Sequence, residues 1–131
     1  MKESDSGFEN KTILIVEDDP VSSEFLKEVF EGMKVRLIFT RSGEEAVSLF
    51  KENPQISLIL MDIRLPGQDG YETTRMIRQI NPSVGIIAQT AYALEGDNER
   101  ALDAGCDDYI SKPIRPSILL EKVRKFISEN Y

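Results

Sequence analysis

The chain contains no histidine, and only one of its 131 residues is a cysteine. Histidine is the usual general base near neutral pH, so its absence excludes Ser-His-Asp and Cys-His catalysis, most zinc sites and a role as a phosphohistidine carrier. The single cysteine, Cys106, excludes an intrachain disulfide and is predicted to be a small buried thiol.

Long apolar segments and an excess of basic residues are also missing. No apolar run approaches membrane-spanning length, and residues 1–10 lack a signal-peptide core, which together favour a cytoplasmic protein. The 16 Lys and Arg against 23 Asp and Glu give a net charge of −7, so we expect no contact with nucleic acid. The polar residues 1–10 are predicted to form a disordered lead or linker, and residues 11–131 a single domain.

From Lys11 onward, short apolar runs alternate with segments of helical periodicity. The first run is apolar throughout, as is typical of a strand buried on both faces of a parallel sheet. The predicted strands are Thr12–Val16, Val35–Phe39, Leu58–Met61, Gly85–Gln89 and Asp108–Ser111. The predicted helices start after the N-cap Asp19 and at Ser42, and then span Tyr71–Ile80, Glu95–Ala104 and Pro116–Ser128. Five β-α units predict an α/β doubly wound domain.

Chemically useful side chains follow four of these strands directly. They are Glu17 and Asp18 after the first strand, Asp62 after the third, Thr90 after the fourth and Lys112 after the fifth. Because the carboxyl ends of parallel strands share one edge of a sheet, these side chains are expected to converge there. Clustered carboxylates repel one another, so they must either stay partly protonated or hold a cation such as a hard divalent ion.

Each of these residues has an ordinary structural interpretation when it is considered alone. Acidic residues often start helices, strands commonly end in Asp before a turn, and Lys112 before Pro113 could be a solvated turn residue. Asp19 is better explained as a helix cap than as a ligand. The coincidence of several such residues, each at the end of its own strand, favours a functional site.

The combination suits a site that forms an aspartyl phosphate. A carboxylate can act as nucleophile toward a phosphoryl group, and catalysis is then mostly positioning and stabilisation by cations. Asp62 would attack phosphorus, while Asp18, and Glu17 through water, would hold Mg²⁺. Lys112 would neutralise one phosphoryl oxygen, and Thr90 would donate a hydrogen bond to another.

The region from Lys11 to about Ser128 resembles a response-regulator receiver domain, either a stand-alone one or one that belongs to a hybrid sensor kinase. The stretches that carry the resemblance are Ile13–Asp19, Leu60–Gly70, Ala88–Ala91 and Gly105–Pro113. The resemblance implies a flavodoxin-like fold, in which a five-stranded parallel sheet of order 2-1-3-4-5 has helices on both faces. A chemotaxis member of this family is a known example of that strand order.

The resemblance also implies a role for each matching residue. Asp62 corresponds to the phosphoacceptor, and Mg²⁺ would be held by Glu17, Asp18, Asp62 and the backbone carbonyl of Arg64. The phosphate-binding and switch positions correspond to Thr90, Ala91, Tyr109 and Lys112. The implied partner is a histidine kinase or a histidine phosphotransfer protein. Output or homodimerisation would use the face made by the fourth helix, fifth strand and fifth helix, and no turnover of an external substrate is expected.

Three alternatives use a similar fold. A haloacid-dehalogenase-type phosphatase also has a strand-end Asp, a hydroxyl, a lysine and Mg²⁺, but it needs an Asp where this chain has Arg64. A flavodoxin-like cofactor binder needs a phosphate loop after the first strand, and a P-loop nucleotidase needs a Gly-Lys-Ser/Thr motif. This chain has neither.

Arg64 and Tyr92 are also expected to border the approach of water to Asp62, which predicts a fairly long-lived phosphorylated state.

Overall fold

A computed structural model describes residues 8–91 and 95–128 of the chain. Strands and helices alternate along it, and the bounds of the five strands and of the last three helices lie within two residues of the predicted ones. The strands are β1 (Thr12–Val16), β2 (Arg36–Thr40), β3 (Ile56–Asp62), β4 (Gly85–Thr90) and β5 (Asp108–Ser111). The helices are α1 (Pro20–Val29), α2 (Gly43–Glu52), α3 (Gly70–Ile80), α4 (Asp97–Ala104) and α5 (Pro116–Ser128).

The strands form one parallel sheet of order β2-β1-β3-β4-β5, which confirms the predicted doubly wound topology. The chain runs from β1 outward to β2 and then returns across β1 to β3. The connection after β1 therefore runs toward one edge of the sheet, and the connection after β3 runs toward the other edge. In folds of this kind, the crevice beyond the carboxyl ends of the strands at such a reversal is the usual binding site.

Helices cover both faces of the sheet, and each face has its own apolar core. The helices α2, α3 and α4 pack on one face, and α1 and α5 pack on the other. The predicted burial of β1 on both faces is confirmed, since all five of its residues are buried. Cys106 is buried in the first core, where burial raises the pKa of its thiol to about 11, as expected of a structural rather than a reactive cysteine.

Side-chain caps determine where the helices begin at the functional edge of the sheet. Asp19 accepts hydrogen bonds from the backbone N–H groups of Val21 and Ser22, which confirms it as the N-cap of α1. Ser42 caps α2 and Asp69 caps α3 in the same way. These caps end the strand-to-helix turns abruptly, so the residues between strand and helix stay close to the strand ends.

The prediction of a disordered lead over residues 1–10 was wrong for residues 8–10. Phe8 is wholly buried on the α1 and α5 side of the sheet, where its ring meets that of Phe30 edge-on at 6.4 Å between centroids. Arg124 places its guanidinium 5.7 Å from the centre of the Phe8 ring. One buried aromatic ring contributes enough apolar contact to order a short segment whose composition is otherwise polar. Residues 1–7 lie outside the described residues.

Gln89 on β4 is a buried polar residue without a hydrogen bond among the described residues. Its side chain is fully enclosed, and neither its amide nitrogen nor its amide oxygen has a partner in the described ranges 8–91 and 95–128. Leaving such groups unsatisfied typically costs about 1–3 kcal/mol. Gln89 therefore lowers the stability of the sheet that carries the functional edge.

We predict that Gln89→Met raises the free energy of unfolding by about 1–2 kcal/mol, because methionine fills nearly the same volume without an unsatisfied amide. Urea unfolding followed by circular dichroism measures the change. Gln79→Met, at an exposed position of α3, is the matched control and should change stability by less than about 0.5 kcal/mol. A loss of stability in Gln89→Met would mean that the amide is hydrogen-bonded in solution.

No helix in the described part of the chain has both the length and the apolar character that a bilayer requires of a spanning segment.

Candidate functional site

The register of the sheet brings the predicted site residues to one edge. Val16 pairs with Met61, so the residues that follow them, Glu17 and Asp62, lie side by side. Thr90 pairs with Ser111, so Lys112 emerges next to Thr90 and donates its backbone N–H to the Thr90 carbonyl at 2.8 Å. Residues far apart in sequence are thus adjacent because their strands are neighbours.

A lysine lies between two buried carboxylates at the centre of this edge. Lys112 Nζ is 3.2 Å from Glu17 Oε1 and 3.5 Å from Asp62 Oδ2. The side chain of Glu17 is only 1% exposed and that of Asp62 is 8% exposed, whereas Lys112 is 24% exposed. One positive charge therefore faces two negative charges that water scarcely reaches.

The positive charge of Lys112 does not fully neutralise the negative charge of the two carboxylates. Burial, followed by the negative charge of Asp62, raises the pKa of Glu17 to about 7. The backbone N–H of Asp19 donates to Glu17 Oε2 at 3.1 Å and, with Lys112, opposes that shift. The balance leaves a site with a residual demand for positive charge, which suits a hard divalent cation.

The backbone around Asp62 presents its carboxylate in a defined orientation. The N–H of Arg64 donates to Asp62 Oδ1 at 3.1 Å, so one carboxylate oxygen is held by the backbone and the other lies against the lysine. The N–H of Gly70 closes the following loop by donating to the Ile63 carbonyl at 3.0 Å. An added Cβ on Gly70 would collide with the carbonyl oxygen of Asp62 and would lie 2.7 Å from Ile63 Cα.

Asp18 is the predicted ligand that the structure does not bring to Asp62. Its carboxylate is 45% exposed and pairs with Arg41 Nε at 3.8 Å. Within the described residues, no group of three or more His, Cys, Asp or Glu side chains is arranged to hold a metal ion. The two carboxylates of Glu17 and Asp62 still fit Mg²⁺, which keeps several waters and commonly uses only one or two protein carboxylates.

The hydroxyl of Thr90 is engaged elsewhere in this conformation. Thr90 Oγ1 donates to Asp97 Oδ2 at 2.7 Å, at the beginning of α4. Tyr109 is half-buried against the core formed with α2, α3 and α4, and Ala91 is exposed beyond the end of β4. Tyr92 lies outside the described residues.

Asp97 is a residue that the sequence did not single out. It is 1% exposed and accepts hydrogen bonds from Thr90, from the Tyr71 hydroxyl at 2.8 Å and from the Arg64 guanidinium at 3.2–3.3 Å. Acidic residues are common in the first turn of helices, so nothing in the sequence distinguishes Asp97 from an ordinary helix start. The Arg64 side chain, expected to border the approach to Asp62, is instead paired with this carboxylate.

The hydrogen bonds to Asp97 keep it charged despite its burial. Burial by itself would raise the pKa of Asp97, but the hydrogen bonds from Thr90, Tyr71 and Arg64, with the charge of Arg64, outweigh it and hold the pKa below its usual range. Burial and the bond to Asp97 raise the pKa of Tyr71 to about 12, so Tyr71 remains a donor at neutral pH.

A five-stranded parallel sheet whose carboxyl edge carries two acids, a lysine and a hydroxyl defines a doubly wound α/β domain with a polar site at that edge, and the comparisons assign it to one family. Residues 13–124 match the model of the response regulator receiver domain. The chain therefore belongs to the response regulator receiver family of two-component signalling. This assignment favours the receiver over the phosphatase considered above.

Relatives over nearly the whole chain agree with this assignment. The polar-differentiation response regulator DivK of Brucella ovis is 36% identical over 121 residues, which cover 91% of this chain and 98% of DivK. The receiver domain of the sensor histidine kinase PA1611 from Pseudomonas aeruginosa, with a magnesium ion coordinated in its active site cleft, is 38% identical. Its TM-score is 0.84, and the match covers 91% of this chain and 98% of that one.

A third relative was solved together with a partner protein. The receiver domain of the Saccharomyces cerevisiae response regulator Ssk1, in a co-crystal with the histidine phosphotransfer signalling protein Ypd1, is 30% identical with a TM-score of 0.85. The match covers 92% of this chain and 91% of that one.

Proposed function

We propose that this receiver domain accepts a phosphoryl group on Asp62 from a phosphohistidine of a partner protein. The observation that carries the proposal is the contact of Lys112 with both Glu17 and Asp62 at the carboxyl edge of the sheet. Asp62 is buried enough to be held in place, and its second oxygen lies beside a cation. Such a carboxylate is a positioned nucleophile rather than a solvated surface charge.

The proposed reaction is a transfer between two protein side chains. A carboxylate oxygen of Asp62 forms a bond to phosphorus while the bond between phosphorus and the donor's imidazole nitrogen breaks, and the electron pair leaves with the imidazole. The ammonium group of Lys112 neutralises a phosphoryl oxygen. The Arg64 N–H, which already holds Asp62 Oδ1, keeps the attacking carboxylate from rotating. We propose no turnover of an external substrate.

The carboxylate set supports Mg²⁺ as the cofactor. Asp62, Glu17 through water, and the Arg64 carbonyl are the proposed ligands, and Asp18 would join them by leaving Arg41. An exposed ion pair of this kind is worth at most about 1 kcal/mol, so its rupture costs little. The ion, when bound, supplies positive charge for the phosphoryl oxygens, and the magnesium coordinated in the PA1611 receiver supports this role.

The proposed partner is a histidine kinase or a histidine phosphotransfer protein, in keeping with the Ssk1 receiver and Ypd1. Because such donors obtain their phosphoryl group from ATP, we propose that the transfer to Asp62 takes place in the cytoplasm. The proposed output and self-association face consists of α4, β5 and α5, where Leu102 and Ile118 expose apolar side chains.

The phosphoacceptor assignment is tested by intact mass measurement after incubation with acetyl phosphate and Mg²⁺. The wild-type chain should gain one phosphoryl group, and Asp62→Asn should gain none, because an amide is not a competent nucleophile. Asp103→Asn, an exposed aspartate of α4, is the matched control and should be labelled as fully as the wild type. Full labelling of Asp62→Asn would place the acceptor elsewhere.

A further inference from the structure

The buried carboxylate of Asp97 joins three parts of the chain that surround the site. Thr90 reaches it from the end of β4, Tyr71 from α3, and Arg64 from the loop after β3. Asp97 itself is the first residue of α4. None of the roles proposed for Asp62, Glu17 or Lys112 requires this arrangement.

The hydroxyl of Thr90 has one proton, and that proton is donated to Asp97. The bond of 2.7 Å to a charged carboxylate is of the charge-assisted kind, which is roughly twice as strong as a neutral hydrogen bond. A phosphoryl group on Asp62 would be a second anion at the same edge of the sheet. The two anions therefore compete for a single donor.

We propose that Asp97 is a positioning residue that holds Thr90 in the resting state and that phosphorylation must draw the Thr90 hydroxyl away from it. This inference rests on the proposed function of Asp62. It adds a specific competitor that opposes activation, located at the start of α4, so that loss of the Thr90 contact changes how α4 is attached to the sheet.

Arg64 contacts both of the carboxylates that are involved in this competition, Asp62 and Asp97. Its backbone N–H donates to Asp62 Oδ1 at 3.1 Å, while its guanidinium contacts both carboxylate oxygens of Asp97. Tyr71 adds a second link, because its hydroxyl binds Asp97 and its ring centre lies 4.5 Å from the guanidinium of Arg100 on α4. Arg64 is therefore in direct contact with both Asp62 and Asp97.

Two substitutions should have opposite effects on the affinity for beryllofluoride, a phosphoryl analogue, in the presence of Mg²⁺. Asp97→Asn replaces the charged acceptor by a neutral one of the same size, which weakens its hold on Thr90. We expect affinity to rise by about tenfold. Tyr71→Phe removes a competing donor, so Asp97 should hold Thr90 more tightly and affinity should fall by about threefold.

If this hydrogen-bond network only stabilised the fold, the two substitutions would not change the affinity in opposite directions. Loss of packing or of buried hydrogen bonds should weaken beryllofluoride binding in both variants. The same substitutions are therefore also made in a Thr90→Val background, where the donor is missing and both effects should vanish. Asp103→Asn, on the exposed side of the same helix, should leave the affinity unchanged.

Isothermal titration calorimetry of the full chain measures these affinities. A wild-type chain that does not bind beryllofluoride overturns the proposed function and this inference with it. If the wild type binds, the inference alone is overturned when Asp97→Asn binds no more tightly, or when its gain persists in the Thr90→Val background. If Asp97→Asn does not fold, Tyr71→Phe decides, since unchanged or tighter binding contradicts the proposal.

Discussion

Replacement of Lys112 by methionine should slow phosphoryl transfer to Asp62 by about 100- to 1000-fold, the usual cost of removing a charge-stabilising donor. Methionine retains much of the apolar side chain but brings no charge to the phosphoryl oxygens. It also leaves Glu17 and Asp62 facing each other without the ammonium group that now lies 3.2 Å and 3.5 Å from them. The substitution removes one of the opposing influences that keep the pKa of Glu17 from rising further.

The rate is measured by intact mass over time with acetyl phosphate and saturating Mg²⁺. Lys122→Met is a close control, because Lys122 also pairs with a carboxylate, at 3.0 Å from Asp108, and is 29% exposed against 24% for Lys112. It should react within about twofold of the wild type, as expected of a partly exposed ion pair away from the site. Equal losses in both variants, or a normal rate in Lys112→Met, would contradict the role given to Lys112.

Gly70→Ala should lower the free energy of unfolding by about 3 kcal/mol and should also impair phosphorylation. The new methyl group would press against the backbone of Asp62 and Ile63, at the point where the N–H of Gly70 closes the loop. Backbone atoms cannot move aside as a flexible side chain can, so either α3 or the end of β3 must shift. A shift of β3 would displace the Asp62 carboxylate from the Arg64 N–H.

Urea unfolding and the rate of labelling of the folded protein separate these two effects. Gly32→Ala is the matched control: its φ of 89° strains any other residue, but a Cβ there meets no atom within 4 Å. It should cost about 1–2 kcal/mol and leave phosphorylation unchanged. A Gly70→Ala variant as stable as Gly32→Ala, with normal labelling, would show that the close approach at Gly70 is not constrained in solution.

The fold and the centre of the site could be predicted because both depend on local pattern. Continuous apolar runs separated by amphipathic segments indicate parallel strands with helices on both faces, and strand ends in such a sheet share an edge. Glu17, Asp62 and Lys112 each lie at the end of a strand, so all three reach the same edge of the sheet. Glu17 and Asp62 follow neighbouring strands, whereas the side chain of Lys112 reaches them from β5 across the end of β4. Asp19 and Ser42 were predicted as helix starts for an equally local reason, since a cap binds N–H groups two or three residues away.

Tertiary structure alone decided which partner each remaining side chain takes. Asp18 follows Glu17 directly but points to Arg41, and Thr90 donates to Asp97 rather than toward Asp62. Phe8 is buried although its neighbours are polar, and Gly70 is required by the backbone of Asp62. Such choices depend on distances of a few ångströms between segments that periodicity does not relate. The sequence therefore determined which groups reach the edge of the sheet, and packing determined which of them are in contact.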